Sequence, residues 1–247
     1  MKTPRPKMII FDYGGTLAHE PFPDTLRGYS QVHKHVVANP NKVTAKELDK
    51  FGSDLFQEMW QHRHIGYEIH EWNFMRFVLE YLELELDITI PEAELLFMNG
   101  NSKCVPTPGI EDLLGYLHGR GIRSAVISNI GYSGAALADR LERLLPDGHH
   151  FEFIIATSEY VIRKPNPMIF ELAAKKAGLS TADIWYCGDS LKADIMGSAS
   201  AGMFPVWYDN PDYTNPWRKR EEEYKPDIPY LHICDWKELE KTLEVIL

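Results

Sequence analysis

The chain has 247 residues, 44% hydrophobic and 25% charged, and its 26 basic and 36 acidic side chains give a net charge of −10. That is a globular composition, long enough for one large core or for a core and a smaller domain. The acidic balance and the absence of a basic stripe argue against a nucleic-acid partner and against an anionic membrane surface. Small phosphorylated substrates stay open, because a metal ion and a few local cations can reverse the field inside one pocket.

Residues 1–7 carry charges and two prolines. The apolar run that follows, residues 8–11, is too short for a signal-peptide core or a membrane span, and no later run is long enough. This run ends at Asp12 and the pair Gly14-Gly15, as expected of a strand buried on both faces and followed by a sharp turn. From about residue 19 to residue 102 the periodicity is helical. Leu55, Phe56, Met59 and Trp60 form one stripe; Trp72, Met75, Leu79 and Leu82 form another. Breaks are expected at Pro40, Gly52, Gly66 and Pro91, and the aromatic stripes are expected to form the core of a small bundle. Pro106, Pro108 and Gly109 mark the return.

Beyond this insert, strands and helices alternate. Strands are expected at 124–127, 151–155, 184–187 and 204–208, and helices at 110–118, 134–145, 167–177 and 193–201. Residues 210–225 are polar and read as a surface loop or short helix, with Glu221, Glu222 and Glu223 on a solvated face. A late edge strand over 228–234 and a closing helix over 236–247 complete the chain. The expected fold is α/β, a doubly wound, Rossmann-like parallel sheet formed by residues 1–18 and 103–247, with an inserted α-helical cap over 19–102. Cys104, Cys187 and Cys234 are far apart and form neither a zinc spacing nor a disulfide framework, which points to a reducing, cytoplasmic compartment.

In an open parallel sheet the strand C-termini share one edge, and ligands bind there. This chain places Asp12, Ser128-Asn129 and Asp189 at that edge, with Asp194 five residues on and Lys164 beyond another strand. Converging carboxylates repel unless a cation lies between them, and their hard oxygens suit Mg²⁺. A hydroxyl, an amide and an ammonium suit a phosphate whose charge the metal neutralises in part. Taken singly, each residue also fits a turn or a helix cap.

Four segments carry a resemblance. Phe-Asp-Tyr-Gly-Gly-Thr-Leu (11–17), Val-Ile-Ser-Asn (126–129), Lys164 in Arg-Lys-Pro-Asn-Pro, and Gly-Asp-Ser-Leu-Lys-Ala-Asp (188–194) resemble motifs I to IV of the haloacid dehalogenase superfamily, in the family's order. The helical insert falls where that family carries its cap. The resemblance implies a hydrolase in which Asp12 attacks phosphorus to form an aspartyl-phosphate. It implies that Asp12, the Gly14 carbonyl and Asp189 hold Mg²⁺ with support from Asp194. Ser128, Asn129 and Lys164 would bind the phosphate, with a backbone N–H of Gly15 offered to the anion.

One departure matters. Family phosphatases usually carry a second Asp, two residues after the nucleophile, as general acid and base; here that position is Gly14. Such help is typically worth ~10²–10⁴-fold in rate. The nearest titratable groups are His19 and Glu20. The sequence therefore predicts a weakened phosphatase selective for good leaving groups. A phosphonatase- or dehalogenase-like carbon-group hydrolase and a non-catalytic binding protein are the alternatives. The pairs His33/His35 and His62/His64 are i, i+2 on expected helices and cannot clasp one ion.

Overall fold

The computed structural model describes residues 5–62, 65–145, 151–213 and 226–246. Strand β1 (Met8–Phe11) opens the chain and is fully buried. The short strand β2 (Ala18–His19) leads into helix α1 (Thr25–His33), strand β3 (Val36–Ala38), helices α2 (Ala45–Trp60) and α3 (Glu71–Tyr81), strand β4 (Glu85–Leu86) and helix α4 (Ile90–Asn101). Strand β5 (Val105–Pro106) brings the chain back and pairs antiparallel with β2, so Ala18 faces Pro106 and His19 faces Val105. This two-stranded neck is where the helical insert leaves and rejoins the rest.

The alternation that follows is α5 (Ile110–Gly119), β6 (Arg123–Ser128), α6 (Gly134–Leu144), β7 (Ile154–Ala156), α7 (Pro167–Ala177), β8 (Ile184–Gly188), α8 (Gly197–Ser200), β9 (Phe204–Tyr208), β10 (Leu231–Ile233) and α9 (Trp236–Ile246). Six strands form one parallel sheet in the order β10-β9-β8-β1-β6-β7. β1 therefore lies between β6 and β8, which explains why it is apolar on both faces. Ile9 and Phe11 pack with Leu113, Leu117, Leu137 and Trp236 on one face, while Met8 and Ile10 pack with Ile169, Phe170 and Ala173 on the other. This is the α/β, Rossmann-like fold expected.

The insert has its own apolar core of Tyr29, Val32, Leu48, Phe74, Met75, Val78, Leu79, Ala93 and Phe97. Thr44 with Glu47, and Thr89 with Glu92, form capping boxes that start α2 and α4.

Several local expectations are corrected. Gly52 does not break a helix; it lies inside α2, where a Cβ would stand 2.2 Å from the Tyr29 hydroxyl, so it lets α1 and α2 approach closely. Pro91 falls in the first turn of α4, where its missing N–H has no helical partner to lose. The α2 stripe is core only in part, since Phe56 and Trp60 are 37% and 38% exposed. The strand expected at 151–155 begins only at Ile154, and the edge strand shrinks to Leu231–Ile233. The helix expected at 193–201 is a wide, π-helical turn, Leu191–Met196, followed by the short α8. Most of the polar stretch 210–225, including Glu221–Glu223, lies outside the described residues, as do Arg63 and His64. His33 and His35 go to separate partners, the Val43 carbonyl and Asp87.

Candidate active site

The register of the sheet brings the predicted residues together. Phe11 pairs with Val126 on β6 and Cys187 on β8, and the Asp12 N–H donates to the Cys187 carbonyl at 2.8 Å. Asp12, Ser128 and Asp189 thus stand at the C-terminal ends of three adjacent strands. Ligand oxygens of Asp12, Asp189 and Asp194 lie within 4.8 Å of one another, and all three residues are buried.

Lys164 is only 3% exposed and holds this cluster from beneath. Its Nζ lies 2.7 Å from Asp12 Oδ1, 2.6 Å from Asp194 Oδ1, 2.7 Å from the Tyr186 hydroxyl and 3.1 Å from the Ile127 carbonyl. Burial lowers the affinity of an ammonium for its proton, but the facing charges of Asp12 and Asp194 outweigh this and raise the Lys164 pKa. Burial pushes the Asp12 carboxyl up to about 8 against the pull of Lys164, with the nearby charges of Asp194 and Asp189 pushing the same way. A cluster in which an ammonium pairs with two carboxylates and a third adjoins them is one that a divalent cation would balance. All three donors are hard oxygens, which suits Mg²⁺.

Two site residues make contacts that their motifs do not foretell. The Asn129 side chain accepts from the Lys164 N–H at 2.8 Å and donates to the Lys164 carbonyl at 2.9 Å. These two bonds use one of its two amide N–H donors and fix the backbone of Lys164, beside the phosphate-binding role expected of it. The Gly15 N–H donates to the Ala18 carbonyl at 2.8 Å, so it is not offered to an anion. Gly15 is required for its conformation instead, with φ at 82°, in the left-handed region. Gly14 lies outside that region. Ser128 is buried at the end of β6, next to this group.

Three further contributors to the site lie outside its motifs or are silent within them. Tyr186 places its hydroxyl among Lys164, Asp194 and the Ile127 carbonyl; a tyrosine in an otherwise apolar buried strand is the signal that marks it. Gly188 is needed because a Cβ there would stand 2.4–2.5 Å from Asp194 atoms. The Asp194 carboxylate, whose other oxygen accepts from the Ser190 N–H at 2.9 Å, occupies that space. The third is the segment that leads into Lys164. Ile162 N–H donates to the Tyr160 carbonyl at 2.6 Å around Val161, whose φ of 65° is a strained γ-turn. Residues of the insert grip this turn: Glu68 N–H donates to the Val161 carbonyl at 2.7 Å, and Arg163 N–H donates to the Gly66 carbonyl at 3.2 Å.

Of the two groups considered as replacements at position 14, the His19 ring stacks on Tyr213 with centroids 3.8 Å apart. A Glu20 carboxylate oxygen lies 3.4 Å from the point where a Gly14 Cβ would stand. Cys187 is buried, and burial holds its thiol well above the usual range, as suits inert packing. All three cysteines are free. Among the described residues no helix is long and apolar enough to cross a membrane.

Comparisons with known proteins agree with this geometry. The family model described as haloacid dehalogenase-like hydrolase matches residues 6–202. Pyrimidine 5'-nucleotidase YjjG of Escherichia coli (strain K12) is 33% identical over 114 residues, 45% of this chain and 48% of that protein. A phosphoserine phosphatase of Thermus thermophilus is 29% identical over 123 residues, 49% of this chain and 45% of that protein. The chain thus spans about half the length of the curated relatives it matches. A 2-haloacid dehalogenase from Pseudomonas syringae pv. Tomato DC3000 superposes with a TM-score of 0.60 at 22% identity, covering 98% of this chain and 100% of that one, and shares the fold.

Proposed function

The chain belongs to the haloacid dehalogenase-like hydrolases, and from that premise we propose that it is a Mg²⁺-dependent phosphatase acting on a small phosphorylated metabolite. The observation that carries this reading is the buried meeting of Asp12, Asp189 and Asp194 around the ammonium of Lys164. Asp12, Asp189 and the Gly14 carbonyl would hold Mg²⁺, with Asp194 in support. The ion would supply charge neutralisation to the phosphoryl oxygens.

The chain's own residues account for the rest. A carboxylate oxygen of Asp12 attacks phosphorus; the bond from phosphorus to the ester oxygen breaks as the bond to Asp12 forms. Water then attacks the same phosphorus, and the carboxylate is regenerated as phosphate leaves. Lys164, 2.7 Å from Asp12 Oδ1, orients that carboxylate and offsets charge gathering beside it. Asn129 keeps Lys164 in place, and the Ser128 hydroxyl is available for a phosphoryl oxygen. The names of the two curated relatives, a nucleotidase and a phosphatase, support the reading. The substrate is read as small, with no nucleic-acid or membrane partner, and the compartment as cytoplasmic.

A carbon-group hydrolysis that works through an imine needs a cap lysine in an apolar setting. Lys34, Lys42, Lys46, Lys50 and Lys103 are all exposed, which favours the phosphatase reading. The test is a screen of phosphorylated metabolites with Mg²⁺ and with EDTA, beside 2-haloacids. Magnesium-dependent phosphate release is expected. Halide release, or no phosphate from any substrate, overturns the reading.

A further inference from the structure

We infer that Glu20 is the acid and base of this site, supplying from the neck of the insert the carboxyl group that position 14 lacks. The inference rests on the phosphatase reading. Glu20 follows β2 directly, and its backbone is pinned on both sides by one hydroxyl. The Glu20 N–H donates to Tyr213 Oη at 3.0 Å, and that hydroxyl donates to the Glu20 carbonyl at 2.9 Å. Its side chain is aimed as well. Oε1 accepts from Arg140 at 3.3 Å and from the Cys104 thiol at 3.4 Å. Arg140 is buried and is itself anchored on the Met98 carbonyl, and the Tyr13 hydroxyl donates to Cys104 Sγ at 3.2 Å.

With one oxygen held there, Oε2 is the atom that stands 3.4 Å from the absent Gly14 Cβ. An aspartate at 14 would carry its oxygens two covalent bonds beyond that Cβ, into the volume this oxygen borders. Tyr13 is turned into the core and His19 onto Tyr213, so neither competes for this place. The Glu20 side chain keeps 21% of its surface, enough to meet a substrate and to exchange a proton with water. In the first step the protonated carboxyl gives its proton to the ester oxygen as that oxygen leaves phosphorus, so the product departs as an alcohol. In the second step the carboxylate takes a proton from the water attacking the aspartyl-phosphate, and Glu20 returns to its starting state. Ester and water are consumed, and alcohol and phosphate are formed.

The test compares native protein, Glu20→Gln and the double variant Glu20→Gln with Gly14→Asp on p-nitrophenyl phosphate and glycerol phosphate, with Mg²⁺. Nitrophenolate needs little protonation to leave and an alkoxide needs much. Glu20→Gln should leave kcat/KM for p-nitrophenyl phosphate within a few-fold and cut that for glycerol phosphate by ~10²–10⁴-fold. Slow dephosphorylation should then appear as a burst of one nitrophenolate per active site. Gly14→Asp should restore glycerol phosphate turnover in the Glu20→Gln background. Its Cβ meets only ordinary contact and its backbone is outside the left-handed region. Equal losses on both substrates with no burst and no restoration would make Glu20 a structural clasp and overturn the inference, while the phosphatase reading stands. A native protein inert on every phosphate overturns that reading and this inference with it. If Glu20→Gln does not fold, Glu20→Asp decides by the ratio of the two substrates: a loss on glycerol phosphate ~10-fold or more beyond that on p-nitrophenyl phosphate supports Glu20, and equal losses overturn it.

Discussion

Replacing Lys164 with methionine keeps most of the length of the side chain and removes its charge. Lys164 is 3% exposed, and its ammonium is within 3.1 Å of two carboxylates, a phenol and a carbonyl. Removing one partner of a buried pair leaves the other charge uncompensated, at a cost of about 3–5 kcal/mol. For a chain of this size each kcal/mol moves Tm by about 2–4 °C, so the metal-free variant should melt roughly 6–20 °C below the native protein. A divalent cation acts on the same carboxylates. At a hundred times its Kd it would return about 2.7 kcal/mol, so Mg²⁺ should raise the Tm of the variant by several degrees. Thermal melts followed by circular dichroism in EDTA and in Mg²⁺, with Ca²⁺ and Na⁺ as controls, measure both effects. A loss under about 1 kcal/mol in EDTA, well short of the cost of an uncompensated buried charge, with a Tm indifferent to Mg²⁺, would refute the idea that Lys164 and a metal balance this cluster.

Asp12→Asn should abolish phosphate release while the fold is retained, checked by activity beside circular dichroism. In EDTA it should also remove a pH dependence. The native Asp12 carboxyl is raised from 3.8 to about 8, so the folded state binds the extra proton between those values and stability falls as pH rises from about 4 to 8. Gly188→Ala should cost about 1–3 kcal/mol by overpacking and depress kcat, because its Cβ would stand 2.4 Å from Asp194 Cγ and force that carboxylate off Lys164. Chemical denaturation and steady-state kinetics check the two effects. Val161→Gly should raise stability by up to ~1 kcal/mol, since glycine relieves a φ of 65° at an exposed position, and urea denaturation measures it.

The sheet was legible because β1, β6, β8 and β9 are short apolar runs that end in turn residues, a pattern that only a strand buried on both faces explains economically. From that, the placement of Asp12, Ser128 and Asp189 at one edge followed. What stayed hidden depends on contacts across long stretches of chain. That Asn129 also fixes the backbone of Lys164, 35 residues on, through one amide N–H and its carbonyl oxygen is invisible in the sequence. Gly52 looks like a break because glycine weakens helices, yet the proximity of the Tyr29 hydroxyl in a neighbouring helix outweighs that propensity. The wide turn at Leu191–Met196 carries Asp194 back toward Gly188, a geometry no helical periodicity encodes.

Two glycines of the site, Gly188 and Gly14, share one physical logic. Gly188 leaves a space that the Asp194 carboxylate fills from six residues away, and Gly14 faces a carboxylate that arrives from Glu20. The two differ in what carries them. Asp194 is 1% exposed and tied to Lys164, Tyr186 and the Ser190 N–H, all within the parallel-sheet unit. Glu20 sits on the neck, where β2 meets β5 and the chain passes into α1, and its carboxylate is held by Arg140 from α6 and by Cys104 beside β5. Displacing the neck would therefore carry the proposed proton carrier away from Asp12 while leaving the metal-side carboxylates and Lys164 as they are. An aspartate at position 14 would lie on the strand end itself and be indifferent to the neck. Moving the proton-transfer group from the strand end to the neck ties the protonation step to the position of the helical insert, and leaves attack by Asp12 dependent on the sheet alone.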